Sequence, residues 1–335
     1  MKIIHFCAGL QFWNGMANTA RQFIAEEIAQ GHESFLTNEL GILSDAKSGD
    51  FHVVYIHGAW LPILWKVAKH AKRINAKLII RPAGSYDPVR LGYHSWKKRL
   101  VAFFERRMLR RADVLLGTCE AEVKWIKDYV GEGCPKVEIT DLKRFFNLAV
   151  SGQSLAVREG GLGVRSQESG VSKQGDNSKL NVLYLGRRHP LKGIDYFESA
   201  VKELNHGIHG NVELKIVSDA KGEELEKVWA WCDVLVLPTL SENFGRVVAE
   251  ALERGKRVIT TDGAPVWDPM GSVGVRECGI GGVRMGERED SSILNFDSNI
   301  LIGYGGRLLY LRGYRDGAAE DRILLLNEAI KRICK

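Results

Sequence analysis

Apolar residues in the first half of the chain form short runs that are separated by longer stretches of helical periodicity. The runs are KIIHFC, FHVVYIHG, AKLIIRPAG and ADVLLGT, and each ends in small or polar residues. The stretch MANTARQFIAEEIAQG repeats its apolar positions at the spacing of an α-helix. Strands that alternate with helices indicate a parallel, doubly wound sheet, in which ligands bind at the carboxyl ends of the strands.

The same alternation starts again in the second half, with the strand-like runs LNVLYLG, VELKIVS, CDVLVLP and KRVITTDG. Residues 151–178 are rich in Gly, Ser and Gln and show little periodicity, which is typical of a linker. We therefore expect two Rossmann-like α/β domains, over residues 1–178 and 179–318, that face each other across a cleft. The glycine-rich stretch 271–306 predicts no element, and residues 319–335 predict an amphipathic helix that could return to the N-terminal domain.

The composition is that of an ordinary globular protein, with 45% apolar and 26% charged residues. Six scattered cysteines include no CxxC pair and no cluster at metal-ligand spacing, so they predict reduced thiols in the cytoplasm and no metal site. The N-terminus shows no signal-peptide pattern, and no run reaches the roughly 20 apolar residues of a membrane span. We expect a cytoplasmic protein whose contact with the inner face of the cytoplasmic membrane is peripheral.

The net charge of +6 is unevenly distributed. Residues 1–178 contain 25 Lys and Arg against 18 Asp and Glu, and the remaining residues contain 22 against 23. Much of the excess falls in residues 96–111, where seven basic residues and one acid surround Leu100, Phe103 and Phe104. Such a helix can lie on an anionic bilayer, or its apolar stripe can pack on its own sheet. No recognition motif accompanies the charge, so we expect no nucleic-acid partner.

The strongest candidate site follows the strand CDVLVLP, in the stretch TLSENFGRVVAEALERG. Pro238 ends the strand, Ser241 is a suitable N-cap and helical periodicity starts at Phe244, which points a phosphate-binding helix N-terminus into the cleft. Glu242 precedes the helix and Glu250 lies about two turns further along it. A carboxylate can accept hydrogen bonds from two neighbouring sugar hydroxyls. The spacing alone, however, favours an amphipathic helix with two solvated glutamates.

A second turn strengthens the interpretation of this stretch as a ligand-binding site. The run LYLG leads into RRHPLKG, which places Gly186, Arg187 and Lys192 after another strand. A planar guanidinium and a compact ammonium group can bind one diphosphate together, and positive charge there stabilises a departing nucleotide. Basic residues are common in exposed turns, but Gly186 and Gly193 on either side of the pair disfavour a merely solvated turn.

The stretches GRRHPLKG, PTLSENFGRVVAEAL and VITTDGAP, over about residues 180–268, together resemble the C-terminal domain of retaining GT-B glycosyltransferases of family 4. That family carries a G-R-x4-K-G turn and then two glutamates separated by seven residues. In the first half, IHGAW and RPAGSYDPVRLGYHSWKKR resemble members that build bacterial surface polysaccharide or lipopolysaccharide. The resemblance implies the GT-B fold and transfer of a sugar from a nucleotide sugar to a glycan or lipid-linked saccharide acceptor.

The resemblance also implies roles for individual residues. Arg187 and Lys192 would bind the donor diphosphate and, with Glu242 at the donor sugar, form the catalytic set. Glu250 would meet the ribose of a donor of the UDP or GDP type, and the family's retaining reaction is thought to need neither a metal ion nor a covalent nucleophile. The remaining donor-binding positions are Gly186, the backbone amides of Asn243, Phe244 and Gly245, and the pocket-lining Gly263 and Ala264.

Four positions in the first domain are candidates for the acceptor side. His57 and Arg81 each end a predicted strand, so both face the cleft of a doubly wound sheet. Asp87 follows the second of these strands, and Gly15, in the first strand-to-helix loop, allows a ligand to approach the backbone. A single histidine at a strand end more often has a structural role. Here two adjacent strands each end in a candidate residue, so the structural and the functional interpretation of His57 are equally supported.

Two alternatives keep the same fold but change the function. One is a degenerate GT-B protein that binds sugar nucleotide as a scaffold, and the other is a GT-B sugar-nucleotide epimerase. The intact donor residues argue against decay. No Asp-x-Asp motif follows a predicted strand, which disfavours the metal-dependent GT-A arrangement, and we expect no cofactor. The sugar, the nucleotide base and the linkage stay open.

Overall fold

A computed structural model of the protein describes residues 1–9, 15–146, 148, 179–206, 211–269, 300–303 and 307–334. The predicted linker 151–178 and most of the unassigned stretch 271–306 lie outside these residues. The first domain contains strands β1 (Lys2–Cys7), β2 (Glu33–Thr37), β3 (Val53–His57), β4 (Lys77–Arg81), β5 (Val114–Gly117) and β6 (Lys136–Ile139), and helices α1 (Gly15–Ala29), α2 (Leu40–Asp45), α3 (Pro62–Arg73), α4 (Pro88–Gly92), α5 (Ser95–Leu109) and α6 (Glu120–Val130), with a 3-10 turn at Leu142–Phe145.

The second domain also consists of strands that alternate with helices, and it differs in the strands at one edge of its sheet. Its strands are β7 (Leu180–Leu185), β8 (Val212–Val217), β9 (Val234–Leu237), β10 (Arg257–Thr261), β11 (Ile300–Gly303) and β12 (Leu308–Leu311). Its helices are α7 (Ile194–His206), α8 (Gly222–Trp231), α9 (Arg246–Glu253) and α10 (Ala319–Cys334), and 3-10 turns lie at Pro190–Lys192 and Pro265–Trp267.

Both sheets have the doubly wound order that the alternating pattern predicts. The first runs β2-β1-β3-β4-β5-β6 and is parallel throughout. The second runs β11-β12-β10-β9-β7-β8, and among its described strands only the edge strand β11 is antiparallel to its neighbour. Helices cover both faces of such sheets, so the central strands are buried on both sides and read as continuous apolar runs. The predicted fold class is confirmed.

Each sheet supports its own core. In the first domain, Ile4, Ile56 and Ile80 on neighbouring strands are fully buried against the helices. In the second, Val182 and Leu235 occupy the equivalent centre. Because strands that start from two separate cores end at one cleft, the loops after these strands form the site described below.

The C-terminal helix α10 differs from its expected position. Its apolar residues Leu326 and Ala329 belong to the core of the second domain, and α10 packs against α7. Arg322 donates a hydrogen bond to the hydroxyl of Tyr196 on α7, at 2.8 Å. The expected return to the N-terminal domain is therefore wrong, because α7 of its own domain already covers the apolar face of this helix.

Helix α9 begins later than the sequence indicates. Gly245 occupies the N-cap position with φ 63°, so the helix starts at Arg246 and not at Phe244. Ser241 is therefore not the N-cap, and its hydroxyl makes a contact across the cleft instead. Among the described residues, no helix is both long enough and apolar enough to cross a membrane.

Candidate functional site

A cavity of about 770 Å³ lies between the two domains, at the carboxyl ends of both sheets. Residues from both domains line it, which confirms that the loops after the strands meet at one cleft. The sequence-predicted residues on its walls are Gly186, Arg187, Lys192, Glu242, Asn243, Phe244 and Gly245 from the second domain, and Gly15 and Arg81 from the first.

The centre of the second-domain wall is an ion pair. Lys192 Nζ donates to Glu242 Oε2, and the other carboxylate oxygen accepts a hydrogen bond from the backbone N–H of Asn243 at 3.0 Å. Burial by itself raises the pKa of the Glu242 carboxyl, but the positive charges of Lys192 and Arg90 outweigh it and hold the pKa below its usual value. Glu242 is therefore an anion at neutral pH, with both oxygens oriented by donors.

Two separate turns position this pair, and hydrogen bonds lock the turns together. The carbonyl of Leu191 accepts from the N–H of Leu240 at 2.9 Å and from the hydroxyl of Thr239 at 3.0 Å. Gly193 follows with φ 63°, and a Cβ at that position would lie 2.0 Å from the carbonyl oxygen of Pro238. Only glycine allows this close approach, so the sequence G-R-x4-K-G places Lys192 against the turn that carries Glu242.

The residues after Glu242 lead into the first turn of α9, which forms the end of the cavity. The ring of Phe244 is buried beside Trp267, whose indole N–H donates to the carbonyl of Phe244. Arg246 lines the cavity and donates to the side chain of Gln22 on α1 at 2.7 Å. The N–H groups at the start of a helix have no partners within it and can bind an anion.

Arg187 adds a second cation to the same wall. It is exposed, and the hydroxyl of Tyr184 donates to its carbonyl at 3.1 Å, which holds the turn after β7. Arg187 and Lys192 thus line one cavity from opposite ends of the same turn. The neighbouring Arg188 forms an ion pair with Glu198 on α7 at 2.5 Å.

Three predicted donor residues do not reach the cavity. Gly263 lies behind Glu242, where its carbonyl accepts from the N–H of Glu242 at 2.7 Å, and Ala264 is fully buried beside it. Glu250 is on α9 below Arg246, with 3.8 Å between its carboxylate and the guanidinium. Gly263 and Ala264 therefore support the site from behind, and Glu250 lies outside the described cavity wall.

His57 is not on the cavity wall either. It lies buried at the end of β3, where its Nε2 is 2.9 Å from Nδ1 of His5. His5 in turn contacts Glu27 at 2.8 Å. Burial, together with His5 and Arg81, lowers the pKa of His57 well below its usual value, so the ring is neutral. The structural interpretation of this histidine fits its position in the core.

Asp87 also has a structural position, but one that joins the domains. Its carboxylate accepts from the N–H of Val89 at 2.9 Å and so caps α4. It also contacts the hydroxyl of Ser241 and the guanidinium of Arg315, both in the second domain. Arg90 donates to the same hydroxyl at 2.9 Å. Asp87 therefore joins the two domains, and it is not among the residues that line the cavity.

Comparison with known proteins agrees with this architecture. Residues 35–140 match the model of the glycosyl transferase 4-like domain. Sucrose-phosphate synthase from Thermosynechococcus elongatus superposes with a TM-score of 0.53 at 16% identity, over 80% of this chain and 83% of that one. HepE from Anabaena, solved in complex with UDP and glucose, superposes with a TM-score of 0.53 at 14% identity, over 99% of this chain and 90% of that one. The chain has the GT-B fold.

A curated relative matches at the level of sequence. It is an uncharacterized 41.2 kDa protein in the cps region of Klebsiella pneumoniae, 23% identical over 244 residues, which are 67% of this chain. The match spans 63% of the length of that relative. The domain match over residues 35–140 and the GT-B architecture agree with each other.

Sequence reasoning missed Arg90 and Arg246 in this cleft, and it gave Ser241 the role of a helix cap. Arg90, Ser241 and Arg246 all line the cavity and all make hydrogen bonds between the domains. The local pattern gives a signal for only one of them, since an arginine directly after Gly245 begins a helix where a cation opposes the dipole. The contacts of the other two depend on which surfaces of the two domains meet. The sequence of one strand and its loop does not specify this.

Proposed function

We propose that this protein is a retaining, metal-independent glycosyltransferase that moves a sugar from a nucleotide-diphosphate sugar to a glycan or lipid-linked acceptor. The Lys192–Glu242 pair carries the proposal, because it brings a cation and an oriented carboxylate together on one wall of the interdomain cavity. HepE, with the same fold, was solved with UDP and glucose, which supports a nucleotide-sugar donor. We propose UDP or GDP as its nucleotide.

In the proposed reaction the acceptor hydroxyl attacks the anomeric carbon on the face from which the phosphate departs. The bond from that carbon to the phosphate oxygen breaks, a new bond to the acceptor oxygen forms, and the hydroxyl proton moves to the departing phosphate. Arg187 and Lys192 stabilise the negative charge that develops on the nucleoside diphosphate. Glu242 accepts hydrogen bonds from the transferred sugar through the lone pairs that Lys192 and the N–H of Asn243 leave unused, and it forms no covalent bond in the proposed reaction.

The product of this transfer is proposed to be a bacterial cell-surface glycan. The support is the relative that lies in a cps region, together with the first-domain motif RPAGSYDPVRLGYHSWKKR, which resembles the motifs of such enzymes. Capsular polysaccharide and lipopolysaccharide are both compatible with this proposal. A lipid-linked acceptor would also place the protein, as a peripheral enzyme, at the inner face of the cytoplasmic membrane.

Slow donor hydrolysis is the most direct test of the donor class. The protein is incubated with UDP-, GDP- and ADP-sugars, and free nucleoside diphosphate is measured with time. We expect one nucleotide series to be cleaved, because water can replace an absent acceptor. Binding without release would favour the scaffold, and conversion to an epimeric sugar nucleotide would favour the epimerase. A glycosyl adduct trapped on Glu242 would contradict the proposed chemistry.

Helix α5 presents an apolar face to solvent next to this cleft. Trp96, Leu100 and Phe103 are 62%, 71% and 68% exposed, and their spacing puts them on one side of the helix. The opposite side is anchored by the buried Glu105, which accepts from the hydroxyl of Tyr86 at 2.6 Å. These three side chains therefore do not pack on the sheet, whereas Met108 of the same helix is buried in the first-domain core. Flanked by basic residues, the exposed side chains support the proposed contact with an anionic bilayer.

Vesicle co-sedimentation tests this membrane contact. We expect binding to phosphatidylglycerol vesicles at low salt, and a loss of at least tenfold in the double variant Leu100→Asp/Phe103→Asp, because both side chains would carry charge into the bilayer. Reversing Arg99 and Arg107 to Glu is expected to weaken binding about tenfold or more, at about 1 kcal/mol for each basic residue. The control is Ile28→Asp, since Ile28 is 55% exposed on α1. Equal binding of all variants would refute the proposal.

A further inference from the structure

The guanidinium of Arg81 is a buried cation with unused hydrogen-bond donors. It ends the central strand β4 and lines the cavity, although the residue is only 3% exposed. Its Nε and Nη1 are buried and have no hydrogen-bond partner among the residues that the structure describes. A buried charge is costly unless it is paired, and the unpaired donors of a native protein call for an explanation. A ligand with a complementary charge in the cavity would supply the missing partner.

The nearest carboxylate does not fill this role. Glu122 favours the charged form of Arg81, but its oxygens accept from the N–H of Gly84 at 2.6 Å and from the N–H and hydroxyl of Thr118 at 2.8 Å and 2.7 Å. Burial lowers the pKa of Arg81 to about 10, which still leaves it positive at neutral pH. The protein therefore maintains this charge and leaves its donors free.

A second unused donor comes from the opposite domain. The side-chain amide nitrogen of Asn243 is buried and has no partner in the described parts of the chain, while the carbonyl oxygen of that side chain accepts from the hydroxyl of Thr118 at 3.0 Å. Asn243 also touches the loop after Arg81, since a Cβ on Gly84 would lie 3.0 Å from its own Cβ. Both residues line the cavity, Arg81 from the first domain and Asn243 from the second.

We propose that Arg81 and the side-chain amide of Asn243 bind an oxyanion of the acceptor, so that the sugar is transferred to a molecule with a phosphate or carboxylate near the reacting hydroxyl. This inference rests on the proposed function. The donor diphosphate has its own cations, Arg187 and Lys192, on the second-domain wall. The guanidinium of Arg81 can donate charge-assisted hydrogen bonds to the oxygens of a phosphate or carboxylate, and the side-chain N–H of Asn243 can donate another.

The test measures anion binding to the protein saturated with the nucleoside diphosphate that it cleaves from its donor. Inorganic phosphate, glucose 6-phosphate, glucuronate and uncharged glucose are titrated by calorimetry. We expect at least one anion to bind, and its affinity to fall at least tenfold in Arg81→Gln while nucleotide affinity stays within twofold. Glucose 6-phosphate and glucuronate separate a phosphate-bearing acceptor from a carboxylate-bearing one. Arg188→Gln is the matched control, because it removes a cavity cation that already has a partner.

Two results would overturn the inference. One is that no anion binds the nucleotide complex, and the other is that Arg81→Gln weakens the nucleotide itself at least tenfold, which would assign Arg81 to the donor diphosphate. If no nucleotide binds at all, the proposed function fails. The anion titration of the free protein still tests Arg81 in that case, with Lys192→Gln reporting any binding at the diphosphate position.

Thermal unfolding gives a readout that a structural role would not produce. Because the charge of Arg81 is buried without a direct partner, Arg81→Met is expected to raise the Tm by about 2–4 °C. An arginine that held the fold together would lower the Tm when replaced. A fall of several degrees in both Arg81→Met and Arg81→Gln would therefore contradict a binding role.

Discussion

Lys192→Ala will lower the rate of sugar transfer by about 10²–10³-fold, the usual effect of removing one group that stabilises transition-state charge. The lysine is the cation that faces both Glu242 and the cavity, so its loss removes positive charge from the departing diphosphate and leaves the carboxylate without its ion-pair partner. The measurement is kcat and KM for the donor identified by the release assay. We expect most of the loss in kcat, because the developing charge exists only in the transition state.

The pH profile tests whether the charge of Lys192 acts on Glu242 in the working enzyme. In the wild type the pKa of Glu242 is lowered, so the contribution of the pair is fully present above the ordinary value of 4.5 and disappears only as the pH falls through the lower, folded pKa. In Lys192→Ala fewer positive charges oppose the effect of burial on the pKa of Glu242, so this pKa should rise. The acid limb of kcat/KM should therefore move to higher pH.

Two further variants complete this experiment. Lys192→Arg keeps the charge and should recover part of the rate, although its planar fork does not match a site built for a compact ammonium group. Arg188→Ala removes a cation from the same turn that is already paired with Glu198, and we expect nearly normal transfer. A Lys192→Ala enzyme with half of the wild-type kcat would exclude the lysine from the reaction.

Gly193→Ala will be among the most destabilising single changes in the second domain. The new Cβ would lie 2.0 Å from the carbonyl oxygen of Pro238, at a residue whose φ of 63° alanine rarely adopts. The steric and backbone costs together amount to about 2–4 kcal/mol. We expect the Tm of the domain to fall by about 5–15 °C and the affinity for nucleotide to fall with it, because the turn that carries Lys192 must move away from Glu242.

Gly313→Ala is the matched control for this change. Gly313 has φ 74°, but a Cβ there would meet nothing within 4 Å, so the substitution carries the backbone cost alone. That cost is about 1–2 kcal/mol, and nucleotide affinity should stay unchanged. Equal losses of Tm in the two variants would show that the contact with Pro238 does not matter.

The sequence by itself determined the fold class and most of the second-domain wall of the cavity. Apolar runs that alternate with helical stretches predict parallel sheets, because strands and helices each show their own local periodicity of apolar residues. Gly186, Arg187, Lys192 and Glu242 were also found from the sequence, because each lies in a loop directly after a strand and such loops meet at one edge of a sheet. Their catalytic and binding roles stay predictions.

Only the tertiary structure decided what depends on how distant surfaces meet. Ser241 reads as a helix cap, yet its hydroxyl bonds Asp87 and Arg90 of the other domain. His57 and Arg81 end neighbouring strands and look equivalent in sequence, yet one is held in a buried histidine chain and the other lines the cavity with free donors. A local pattern specifies where a strand ends, whereas the partner of a side chain depends on residues brought close by the fold.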